Sequence, residues 1–91
     1  MTAPVVVDAR GLRCPAPVIR LARAARDATG GTTITVLATD PAAVHDVPAW
    51  ARMRGHVMVA SDRWSDAELA EAGLTVAQDS GTVYALTVEI S

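Results

Sequence analysis

Cys14 is the one thiol in a chain of 91 residues, and it sits in the stretch Gly11-Leu12-Arg13-Cys14-Pro15-Ala16-Pro17. A cysteine does chemistry as its thiolate, and a lone cysteine is more often a small buried hydrophobe than a nucleophile. Position argues for reactivity here. The residues after it have helical spacing, so Cys14 stands where a helix begins, and the unpaired N–H groups of a first turn favour an anion. Arg10 and Arg13 add positive charge. Together these features predict a thiol pKa lowered from about 8.5 into the range of about 3.5–7.5. Pro15 and Pro17 are tolerated in a first turn, where the N–H is orphaned anyway, and they stiffen the loop so that the sulfur projects in a fixed direction. With no second cysteine, an internal disulfide is impossible and any group taken up by Cys14 must leave to another molecule.

Other polar residues have plainer readings. Asp8 either ends a strand and pairs with Arg10 or Arg13 or acts chemically, while Asp40 and Asp46 read as helix caps that shape the face near the cysteine. His45, His56 and Cys14 lack metal-ligand spacing, so no metal site is expected, and His56 fits a role satisfying a backbone or carboxylate group at a strand start. Trp50 and Met53 read as the apolar, core-packed face of a helix.

The elements that would position Cys14 follow from the pattern. Val5-Val6-Val7 before Asp8 predicts a short buried strand, and Gly11 gives the following loop its freedom. Residues 15–28 carry Val18, Leu21, Ala22, Ala25 and Ala28 on one helical face and Arg20, Arg23 and Asp27 on another, with Gly30-Gly31 as the stop. Residues 32–38 alternate as a second strand with one buried face. The next segment reads as two short helical pieces, one from Asp40-Pro41 and one restarting at Asp46-Val47-Pro48 and running to Arg54. His56 to Ala60 is strand-like. Ser65-Asp66-Ala67-Glu68 is a capping-box pattern before a helix of about two turns, in an insertion at residues 61–73 expected to pack at a sheet edge and add little to a core. The remainder predicts a hairpin, Leu74 to Ala77 and Thr82 to Ile90 around a turn at Asp79-Ser80-Gly81. The expected fold class is α+β: a two-layer α/β sandwich of β-α-β-α-β-β order, with a mixed sheet, both main helices on one face and a short inserted helix near residues 65–73.

Composition narrows the function classes. The chain is 51% hydrophobic and 3% aromatic, which suits a folded single domain over residues 1–91. No apolar run reaches a membrane span, and the start of the chain lacks a signal peptide's pattern, so a cytoplasmic protein with no membrane partner is expected. The formal net charge of −2 divides into +4 over the first 26 residues and −6 over the rest. The basic part surrounds Cys14, making Arg10, Arg20 and Arg23 docking candidates for acidic partner surfaces. A sequence pI near 5.5 and scattered aromatics argue against direct nucleic-acid binding.

The segment Asp8-Ala9-Arg10-Gly11-Leu12-Arg13-Cys14-Pro15-Ala16-Pro17, with Asp40-Pro41, Asp46-Val47-Pro48-Ala49-Trp50 and Gly55-His56 downstream, resembles the TusA (SirA-like) sulfur-carrier proteins and their Cys-Pro-x-Pro signature. The resemblance covers nearly the whole chain apart from the insertion. It implies a sulfurtransferase in which Cys14 accepts sulfane sulfur from a cysteine desulfurase or another sulfur donor protein, holds it as a persulfide without any cofactor, and relays it to a downstream sulfur-acceptor protein. Independent turnover with a small substrate is not expected. Gly11, Arg13, Pro15 and Pro17 would support the loop and helix start. The rival reading is a non-catalytic regulatory or protein-binding module of the same fold.

Overall fold

The structure, a computed structural model, describes residues 4–76 and 81–91. Its elements in chain order are β1 (Val5–Asp8), α1 (Ala16–Arg26), β2 (Thr33–Ala38), α2 (Ala43–Met53), β3 (Val57–Trp64), α3 (Asp66–Glu71) and β4 (Val83–Glu89). The four strands form one mixed sheet in the order β1-β2-β4-β3, with β1 parallel to β2 and β4 antiparallel to both its neighbours. The α+β class and the mixed sheet agree with the sequence reading.

Strand pleat divides the core into two clusters. Ile34, Val36, Leu86 and Val88 face α1 and α2, packing with Leu21 of α1 and with Ala43, Val47 and Ala51 of α2. Both main helices therefore lie on one face, as their single apolar stripes require. Leu37 alternates to the opposite face, where Ala85 and Val83 join it beneath Leu69 of α3. The inserted helix is thus a lid on the second sheet face, with Leu69 fully buried, and not the edge ornament its charged sequence suggests. Its start is the expected capping box: Ser65 Oγ accepts from the Glu68 amide, and the Glu68 carboxylate accepts from the Ser65 amide at 3.2 Å.

Five expectations are corrected. The Val5–Val7 strand is not buried, because it forms the sheet edge and leaves Val5 and Val6 exposed. The segment after Asp40 is one helix and not two, since Pro48 lies in its second turn, where the ring deletes one backbone bond and the surrounding packing of Val47 and Ala51 holds the axis. Met53 is 84% exposed: the buried phase of α2 is Ala43, Val47, Ala51, and Met53 lies two residues, about 200°, round from Ala51. Third-strand pairing runs on through Trp64, past an irregularity between Met58 and Ala60, so residues 61–64 of the expected insertion belong to β3. Consequently β4 finds both partners in β2 and β3, and Leu74 to Val76 carry no strand; Ala77 to Ser80 of the expected hairpin lie outside the described residues.

Candidate functional site

The two parallel strands β1 and β2 end at the same side of the sheet, and the loops leaving them carry the Cys14 motif and Asp40. This is the end of an α/β unit at which chain crossings leave a crevice. The first loop is tied to the second at three points: the Ala9 amide donates to the Leu37 carbonyl at 2.8 Å, the Gly11 amide to Thr39 Oγ1 at 2.9 Å, and the Cys14 amide to Asp40 Oδ2 at 3.0 Å. Gly11 has φ +79°, a left-handed conformation that a side chain resists, and this turn aims its amide at Thr39. Asp40 uses its other oxygen, Oδ1, to accept from the Ala42 amide at 3.0 Å. One carboxylate therefore fixes both the backbone of the thiol loop and the turn that opens α2.

Cys14 precedes α1 by two residues, with Pro15 at the N-cap position and Pro17 buried against the core. The thiol is half-buried, and an open depression of about 320 Å³ lies beside it, lined by Gly11, Leu12, Arg13, Thr39, Asp40 and Pro41. The electrostatics reverse the sequence expectation. Burial pushes the Cys14 thiol up to about 11 from its ordinary 9.0, a hydrogen bond to Asp46 holds the proton further, and the negative charges of Asp46 and Asp40 oppose a thiolate. The arginines do not compensate. Arg10 donates from Nε and Nη2 to the Asp8 carboxylate at 2.8 and 2.9 Å and from Nη1 to the Thr75 carbonyl at 2.6 Å, so its charge is spent on Asp8, whose carboxyl it holds below the usual range. Arg13 is exposed, and its charge acts on Asp40, which the Ala42 and Cys14 amides already hold low.

Of the docking candidates, Arg20 reaches back to the Asp8 carbonyl at 3.2 Å and Arg23 is exposed on α1, whereas Arg10 has every side-chain nitrogen engaged. The sequence reading gave Asp40 and Asp46 capping roles; their action on the thiol came from tertiary contact, and the only sequence signal was their place in the second motif. His56 Nδ1 accepts from the Ser91 amide at 3.1 Å, the backbone-satisfying role expected of it. Among the described residues no group of three or more His, Cys, Asp or Glu side chains is placed to hold a metal ion.

Fold and site together define an α+β protein that presents a single thiol at the carboxyl end of its parallel strand pair. The family model described as Sulfurtransferase TusA matches residues 5–70. Among solved structures, the SirA-like protein from Desulfitobacterium hafniense is similar over 93% of this chain and 95% of that one, with a TM-score of 0.61 at 23% identity, a likeness of fold. The chain belongs to the TusA sulfurtransferase family.

Proposed function

We propose that the protein is a sulfur carrier in which Cys14 takes a sulfane sulfur from a donor protein's persulfide and passes it to an acceptor protein. The observation that carries this reading is the sole cysteine, half-buried in a loop whose backbone Asp40 fixes through the Cys14 amide, in a chain of a sulfurtransferase family. In the loading step the Cys14 sulfur attacks the outer sulfur of the donor's persulfide. A new S–S bond forms, the donor's S–S bond breaks, and the Cys14 proton passes to the departing donor thiolate, so no net oxidation occurs. Delivery repeats the exchange with an acceptor thiol, regenerating Cys14.

The raised thiol pKa disfavours the thiolate in the free carrier, so in this reading the partner supplies the activation. A cation brought near Asp46 and Asp40 offsets the charges that disfavour the thiolate and breaks the hydrogen bond from the thiol. Incubation with a cysteine desulfurase and cysteine adds one reductant-labile sulfur atom to the wild type and none to Cys14→Ser. Failure of the wild type to load with any competent donor would reject the carrier reading.

The same raised pKa favours a second reading, a regulatory or protein-binding module in which Cys14 is inert. Partner binding that survives Cys14→Ser, together with no sulfur loading of the wild type, would select it.

A further inference from the structure

The helices α1 and α2 both start at the thiol end of the molecule and both finish at the opposite end, about 16 Å away along an eleven-residue helix. There the last residues of α1, the end of α2 and the start of β3 enclose a cleft of about 400 Å³ lined by Ala22, Ala25, Arg26, Trp50, Arg54 and His56. We propose that this cleft is a binding site for a small anion that carries both a phosphate or carboxylate and an aromatic ring. The site does not rest on the sulfur-carrier reading and uses none of its residues.

Charge is the first argument. Arg26 and Arg54 line the cleft, and among the described residues neither forms an ion pair; the one ion pair found there joins Arg10 to Asp8. No carboxylate lines the cleft. Asp27 follows Arg26 as the α1 C-cap without pairing with it, and Glu89, which sits opposite Val57, belongs to the other sheet face from Val88 and Met58. Helix C-termini oppose an anion, and two ends contribute roughly half a negative charge each against the two guanidinium charges that line the cleft. Guanidinium groups match the planar, paired oxygens of carboxylate and phosphate.

The second argument is the ring pair. Trp50 and His56 stand with centroids 5.1 Å apart and planes tilted by 38°, giving the cleft an aromatic wall of fixed shape. The Ser91 amide donates to His56 Nδ1, so a neutral His56 carries its proton on Nε2 and offers a further donor. Ser91 Oγ also donates to the Gly55 carbonyl, which pins the chain on both sides of the ring. A cleft of this volume suits a small ligand with a few convergent polar groups on an otherwise apolar wall.

The test uses AMP as probe, with adenosine and inorganic phosphate as separate arms for ring and anion, read by the two indole N–H resonances of the ¹⁵N-labelled full chain. Trp50 lines the cleft and Trp64 packs on the opposite sheet face, so the second indole is an internal reference. AMP shifts the Trp50 resonance saturably and leaves Trp64 in place, and it binds at least about tenfold more tightly than either adenosine or phosphate, a difference of about 1.4 kcal/mol. Arg26→Ala and Arg54→Ala, both at exposed positions, each weaken AMP about tenfold without changing the rest of the spectrum. The proposal is overturned if the Trp50 resonance stays still, if adenosine binds as well as AMP, or if both arginine variants titrate like the wild type.

Discussion

At Cys14, two opposing influences meet and the carboxylates prevail. Helix position and nearby arginines favour a thiolate, yet α1 begins two residues later, Arg10 is bound to Asp8, and Asp40 and Asp46 lie on the other side of the sulfur. Asp46→Asn is therefore expected to lower the midpoint of alkylation rate against pH from about 11, because it removes a negative charge that opposes the thiolate and replaces a charged acceptor by a weaker neutral one. An unchanged midpoint would leave burial and the Asp40 charge as the causes. Linkage gives the same shift a second readout. Between the ordinary thiol pKa of 9.0 and the folded value of about 11 the native state binds more protons than the unfolded one, so stability is intact below pH about 9 and falls as pH rises toward about 11. Cys14→Ser should lose less stability than the wild type across that window in denaturant unfolding.

The elements differ in how much of the core they own. α1 and α2 share one sheet face, while α3, six residues long, reaches the other face through one fully buried side chain. Leu69 touches the cluster of Leu37, Val83 and Ala85, with Trp64 and Leu74 at its margin. Leu69→Ala is expected to cost about 2–5 kcal/mol, the usual range for a buried leucine truncated in a packed site, measured by urea unfolding. A loss under about 0.5 kcal/mol, the level of a neutral surface change, would return α3 to the role of a dispensable insertion.

The whole molecule has two poles. At the thiol end, Arg13, Arg20 and Arg23 belong to the loop and helix on one side of Cys14, and Asp40 and Asp46 to the turn and helix on the other. A partner that fits this rim carries acidic groups opposite α1 and basic groups opposite the start of α2, so association is steered electrostatically. Sulfur transfer between this chain and a donor should slow as salt is raised, and Arg23→Glu should slow it at low salt while flattening the salt dependence. Equal rates for wild type and variant at every ionic strength would remove α1 from the docking face.

What the sequence determined by itself is local. The Pro-flanked cysteine, the apolar stripe of α1, the alternation in β2 and the capping box at Ser65 each depend on neighbours within a few residues, and each formed near its expected place. The short strand at Val5 was legible as a strand but not as an edge, because a run of valines looks the same in the middle of a sheet. Sheet order decided that, and it also decided that β4 pairs with β3 and leaves Leu74 to Val76 without a strand partner. The charge state of Cys14 was the least legible feature. Arg10 and Arg13 are close in sequence, whereas Asp40 and Asp46 are 26 and 32 residues away, and only the parallel pairing of β1 with β2 brings their loop to the sulfur. A pKa follows distance in space, and that distance is fixed by the tertiary fold.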